Sequence, residues 1–208
     1  MNYSELVAGS IAYADRYDLE VSQNIDMFIV MVEARVNRLL KTRKQSARAY
    51  TLTQDGTEYY SLPPDWAGMR DIQLTSAIPT GEHGVQSFSL LDPKQFDKKR
   101  GVPYSGSLYY TVIADQIQIF PIQEAGKTIE MVYFQKVPNL NSTDSSNWMS
   151  ADQPDIYLAG MTAEIELFAK NYDAATGWYD RLKIAVDELD SVDWVERWSG
   201  DSLQVRLG

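Results

Sequence analysis

The stretch Glu130–Phe168, EMVYFQKVPNLNSTDSSNWMSADQPDIYLAGMTAEIELF, passes from a strand into a helix, and that passage decides the fold. Met131, Val132, Tyr133 and Phe134 make an apolar strand that ends at Val137-Pro138-Asn139-Leu140, where proline removes a ladder donor. A polar loop anchored by Trp148 follows, and Pro154-Asp155 opens a helix, since proline is pre-set for the first helical position. At about 100° per residue, Leu158, Met161, Ile165, Phe168 and Tyr172 fall on one side, and Ala159, Gly160, Ala163 and Leu167 spread over much of the other. A narrow polar strip, with Glu166 and Lys170 as an i,i+4 pair, is left for water. A helix apolar on two sides packs between neighbours, and its small-residue side suits close approach of another backbone.

Upstream, residues 4–15 predict a first short helix with Ser4 as N-cap and Leu6, Ile11 and Tyr13 among its apolar residues. A stronger helix is expected from Asn24 to Lys41. Its Ile25, Phe28, Ile29, Val32, Val36, Leu39 and Leu40 share one face, at offsets of 3, 4, 7, 11, 14 and 15 from the first. Arg35, Arg38 and Lys41 project from the other side, and Arg43, Lys44 and Arg48 follow. These cations read either as a patch for an acidic partner or nucleic acid, or as a solvated face favoured at the carbonyl end of a helix.

From Ala47 to Lys136 the texture changes to short strands and turns. Strands are expected at Ala49–Thr53, Glu58–Leu62, Met69–Thr75, Val85–Leu90, Ser107–Ile113, Gln116–Phe120 and Thr128–Gln135, punctuated by glycine and proline. Seven short strands in about 90 residues suggest a small sandwich or barrel. Asp92 before Pro93 caps one or two helical turns between strands.

A last helix is expected over Ala174–Asp190, with Trp178, Leu182, Ala185, Val186 and Leu189 on its inner face and Asp180, Asp187 and Glu188 pointing away. It packs antiparallel on its predecessor because the link is short. The final residues, SVDWVERWSGDSLQVRLG, do not continue this pattern. Trp194 and Trp198 followed by Leu203, Val205 and Leu207 at period 2 read as an extended arm ending in a strand, which covers its own chain or adds to a partner's sheet edge or groove.

The whole is therefore an α+β chain. A bundle of about four helices comes from residues 1–46 and 138–190, a β-domain is inserted at 47–137, and residues 191–208 form the arm.

Composition limits the chemistry. The chain of 208 residues, 44% hydrophobic and with 13 Tyr, 5 Trp and 6 Phe, is long and apolar enough for a sizeable core. No run approaches the roughly 20 apolar residues of a membrane helix, and MNYSELVAGS has no basic segment ahead of an apolar one, so no secretory signal is expected. With no cysteine and one histidine, His83, thiolate chemistry and a zinc site are excluded, and no cofactor is expected. His83 sits in a Gly-Glu-His-Gly stretch expected to be a loop, with no nucleophile motif nearby. Glu164 and Glu166 diverge by about 200° around a helix and read as surface carboxylates rather than a hydrolytic pair. One tyrosine each of Tyr59-Tyr60 and Tyr109-Tyr110 should enter the core. The net charge of -10 argues against a generic nucleic-acid binder.

The order of strand, Val137-Pro138-Asn139-Leu140, Asn147-Trp148-Met149 and Pro154-Asp155-Ile156-Tyr157-Leu158-Ala159-Gly160 resembles the head-to-tail adaptor (connector) proteins of tailed bacteriophages. Glu58-Tyr59-Tyr60-Ser61-Leu62-Pro63-Pro64-Asp65-Trp66, Gly101-Val102-Pro103-Tyr104 and Ile117-Gln118-Ile119-Phe120-Pro121 are similar to further elements of that family. The likeness covers residues 20–190.

The resemblance implies a helical domain carrying a β-domain, in a ring usually of twelve copies in the virion, assembled in the host cytoplasm. Such a ring sits beneath the portal protein, surrounds double-stranded DNA without reading its sequence, and bears the next tail or nozzle protein. It implies a C-terminal arm on the portal, no membrane and no catalytic residue. Partner-facing residues are then expected at Arg35, Arg38, Lys41, Trp194, Trp198, Leu203, Val205 and Leu207. The alternatives are a virion-associated peptidoglycan hydrolase, because carboxylates are plentiful, and a non-viral protein-binding module.

Overall fold

The computed structural model describes residues 1–77, 83–103 and 106–198, without the side chains of Ala77, His83 and residues 193–198. In chain order the helices and strands begin with α1 (Tyr3–Ala14), α2 (Leu19–Gln23) and α3 (Ile25–Leu39). Then come β1 (Ser46–Leu52), β2 (Tyr59–Ser61), β3 (Trp66–Ala77), β4 (His83–Leu90), α4 (Pro93–Arg100), β5 (Leu108–Ile113), β6 (Gln116–Phe120) and β7 (Thr128–Gln135). The chain closes with α5 (Trp148–Asp152), α6 (Pro154–Phe168) and α7 (Tyr172–Trp198). It is a mixed α+β protein made of two compact units, Met1–Lys44 with Val137–Gly208, and Gln45–Lys136.

In the helical unit, α1 is capped by Asn2 rather than Ser4. The Asn2 side chain accepts from the Glu5 amide, and the Glu5 carboxylate accepts from the Asn2 amide, which satisfies two otherwise orphaned donors. Helix α3 buries Ile25, Phe28, Ile29, Val32 and Val36 as its spacing predicts. Leu39 is the exception, at 54% exposed, because the helix stops there and the chain turns extended at Leu40, which takes the core position instead.

Helix α6 is buried all round from Ile156 to Glu166, apart from half-buried Leu158. The expected solvent strip does not exist. The helix ends at Phe168 and Lys170 adopts φ 61, so Lys170 leaves the i,i+4 position, and Glu166 accepts from Asn171 Nδ2 at 3.0 Å instead. Gly160 is where α6 meets α3: a Cβ there would lie 2.7 Å from Val32 Cγ1.

Helix α7 is longer than expected, continuing through Trp198. Residues 191–198 are thus helical rather than part of an extended arm, since the loss of an amphipathic pattern is not a stop signal and no glycine or proline interrupts them. Leu203, Val205 and Leu207 lie outside the described residues. Tyr179 of α7 reaches Glu164 near the turn, and Ala185 lies beside Leu158 further along, so the two helices run antiparallel.

The second unit is one sheet of seven strands among the described residues, in the order β1-β7-β3-β4-β5-β6-β2. Rather than two separate sheets, β4 belongs to both halves: its first residues pair antiparallel with β3 and its last three, Phe88–Leu90, pair parallel with β5. The parallel step needs a crossover, and α4 supplies it, capped by Asp92 and pinned by fully buried Phe96. Irregularities in the β3–β7 register between Trp66 and Gly68 and between Met69 and Asp71 bend the sheet. It curls about one cluster drawn from both halves, including Ile72, Ile129, Met131, Phe88, Leu108 and Ile119. Tyr60 and Tyr110 enter that core while Tyr59 stays exposed. His83 opens β4 opposite Ala77 instead of sitting in a loop.

The helical glycines Gly160 and Gly177 should respond oppositely to alanine. Gly160→Ala forces Val32 aside and should cost about 1–3 kcal/mol despite the better helix propensity. Gly177→Ala meets nothing within 4 Å and should stabilise by ~0.5–1 kcal/mol. Thermal melts of both, and of Gly160→Ala combined with Val32→Ala, check this. The combination should be less damaging than the sum of its parts.

Candidate interaction site

The inside of the helical unit is fixed by a buried carboxylate. Glu33 projects from α3 on the flank of its apolar face, and its Oε1 accepts from the Leu140 amide at 2.7 Å and from the Tyr157 hydroxyl at 2.9 Å. Asn147 donates from Nδ2 to the Tyr157 oxygen at 2.8 Å and to the Pro138 carbonyl at 2.6 Å, while its Oδ1 caps α5 by accepting from the Ser150 amide. One turn on from Glu33, Asn37 accepts from the Val137 amide at 2.8 Å. Val137 and Leu140 are buried and Pro138 and Asn139 exposed, so the two apolar residues enter the core while side chains of α3 hold their amides.

Burial holds the Glu33 carboxyl above its ordinary value of 4.5, against the two donors that favour its charge. Burial, then the Glu33 charge, also raises the Tyr157 hydroxyl, which stays a neutral donor.

A second cluster decides the fate of the basic residues on α3. The Arg35 guanidinium lies 4.0 Å from the centre of the Tyr179 ring and 4.0 Å from Glu164 Oε1, which also accepts from the Tyr179 hydroxyl at 2.8 Å. Burial and this carboxylate push the Tyr179 hydroxyl up to about 12. Arg35 therefore ties α3 to α6 and α7, and Glu164 is a buried structural acceptor rather than a surface carboxylate. Arg38 and Lys41 are exposed, Lys44 pairs with Asp152 under the Trp148 ring, and Arg48 pairs with Glu130 at 2.8 Å. The structure thus parts Arg35 from Arg38 and Lys41 rather than gathering them into one patch. Trp194 and Trp198 lie in the last turns of α7.

A feature the sequence reading passed over is the outer face of α3. Met27, Val30 and Met31 are 40%, 62% and 44% exposed, on the side opposite Ile25, Ile29 and Val36. The i, i+3, i+4 spacing was present in the sequence, but the long inner stripe drew the attention. Helix α3, like α6, is apolar on two sides, and its second side is open.

The SU10 adaptor protein family matches residues 1–206. The chain belongs to that family. No curated protein matches it. The SU10 adaptor family is a bacteriophage adaptor family, structural rather than enzymatic, which places this chain in the virion and in association with portal and tail proteins.

The stretches that carried the resemblance serve as joints in this adaptor. Glu58 pairs with Arg100 at 3.1 Å, Asp65 accepts from the Tyr133 hydroxyl at 3.0 Å, and Asn147 makes the bonds given above. Among the described residues no group of three or more carboxylate or imidazole side chains is arranged to hold a metal ion. None of the described helices is long and apolar enough to cross a membrane.

Glu33 makes stability depend on pH with a definite sign. Its folded-state pKa is raised, so its stabilising contribution is full below the unfolded value and is lost as pH rises through the folded one. Melting curves from about pH 4 upward should show the native adaptor losing stability relative to the Glu33→Gln variant as pH climbs. Parallel profiles would show that burial does not raise this carboxyl.

Proposed function

We propose that this adaptor assembles into a ring, of twelve copies, which docks beneath the portal, prolongs the DNA channel and forms the platform for the next tail or nozzle protein. The observation that carries this reading is the family match over residues 1–206. Three further features support it. The net charge of -10 suits a conduit from which phosphate must slide free. The open apolar stripe of α3 is surface that a solitary soluble chain has reason to cover. The buried carboxylates Glu33, Glu164 and Glu166 each accept from their own donor, which favours a structural role over the paired acids of a hydrolase.

The portal-binding element is the end of the chain. Trp194 and Trp198 on the last turns of α7 and Leu203, Val205 and Leu207 beyond it anchor the ring, with the terminal segment adding to a portal groove or sheet edge. Arg38 and Lys41 belong to a contact between proteins rather than to a DNA-reading surface, because they stand beside apolar Met31 and Leu39.

Purified full-length protein mixed with portal rings and imaged by electron microscopy should form a stoichiometric complex with a ring below the portal. Removing residues 199–208 should weaken that complex by at least about tenfold, the order expected when an interface loses a few apolar anchors. A shortened chain that binds undiminished would reassign the portal contact to another surface. Peptidoglycan cleavage by the assembled protein, abolished by replacing one carboxylate, would overturn the structural reading.

A further inference from the structure

We infer that neighbouring copies in the ring meet through two different helix faces, the outer face of α3 on one copy and the outer face of α7 on the next. This rests on the ring proposed above and names the surfaces that build it.

The first surface is the stripe Met27, Val30, Met31 and Ala34, which ends one turn later at Arg38, with Lys41 just beyond the helix; all six are exposed. A two-sided apolar helix is one that packs between two neighbours, and its own unit covers only the side of Ile25, Phe28 and Val36.

The second surface is acidic. Asp173, Asp180, Asp187 and Glu188 are exposed along the outer side of α7 and outnumber the two cations that flank them, Lys183 and Arg181, the latter drawn over the Trp178 ring; Ile184, 57% exposed, stands among the carboxylates. The two surfaces complement each other in charge and in spacing. With a rise of about 1.5 Å per residue, Arg38 lies about 6 Å beyond Ala34, and Asp180 and Glu188 each lie about 6 Å from Ile184. Seating Ile184 on Met31 and Ala34 brings a carboxylate of α7 to Arg38 whichever way the helices run.

The placement of the two faces also favours a ring over a pair. Gly160 of α6 abuts Val32 on the inner side of α3, and Glu164 of α6 holds Tyr179 on the inner side of α7, so each of the two helices turns its outer face away from α6. Contacts between two unlike faces propagate head to tail and close into a ring when the rotation allows. A symmetric α3-to-α3 pair would stop at two copies and leave the acidic face of α7 unused.

Charge exchange tests this with the full-length chain in the presence of portal rings. The variant Arg38→Glu with Lys41→Glu, and separately Asp180→Lys with Glu188→Lys, should each reduce the ringed fraction by at least about tenfold, because like charges then face each other whichever way the helices run. The altered residues are exposed, so melting temperatures close to native show that each variant is folded.

Mixing the two variants should restore rings of alternating copies, and so should combining all four substitutions in one chain. Rings that form normally from the α7 variant, or that are not restored by mixing, overturn the inference; an α3 pair would show the former. Native protein that forms no ring with the portal overturns the ring itself, and unaffected variants alongside native rings overturn the contact alone.

Discussion

The helical unit depends on one carboxylate removed from water. Glu33 accepts from an amide 107 residues away and from a hydroxyl 124 residues away, so a single side chain of α3 locates both the Val137–Leu140 segment and α6. Two buried groups would be left unpaired without it, each costing about 1–3 kcal/mol. Asn147 extends the same network to α5 and the Pro138 carbonyl. Removing one member leaves its partners buried and unsatisfied, and such a network therefore admits one arrangement of its helices.

Packing and polar fixing then reinforce each other around α6. The missing side chain at Gly160 lets Val32 approach, and that approach sets the depth at which α3 sits on α6. Arg35, stacked on Tyr179 and near Glu164, joins α3, α6 and α7 at one point. The T-shaped contact of Phe28 with Phe168, 5.6 Å between centroids, closes the α3–α6 interface at the C-terminal end of α6.

Much of the architecture was legible in the sequence because it follows from local periodicity. The seven strands among the described residues fall where short β-rich runs and their bounding turns predict them, and Pro154 and Asp92 mark true helix starts. The order of short stretches also revealed the family, since those stretches are joints whose spacing the fold requires.

What was not legible depends on partners distant in sequence. Nothing near Glu33, Arg35, Glu164 or Glu166 says that Leu140, Tyr179 or Asn171 will meet them, and an unpaired charge in a sequence reads by default as a solvated one. The extension of α7 was missed for the opposite reason. Its last turns have no inward stripe to announce them, and a helix continues through such residues while nothing stops it.

Burying ionisable groups is a poor way to gain stability, because desolvation offsets most of what pairing returns. An apolar residue in place of Glu33 would fill the space at lower cost but would not discriminate between positions of Leu140 and Tyr157. The pH response of Glu33 is the direct measure of that trade. Its return is a fixed direction for every helix of the unit. The ring proposed above would need this more than a deep free-energy minimum, since an angular error at one contact would be repeated at each of the others and decide whether the assembly closes. Using its buried acids as internal fixings leaves the apolar side chains of α3 and the carboxylates of α7 on the outer surface, where the inferred contact between copies would draw on them.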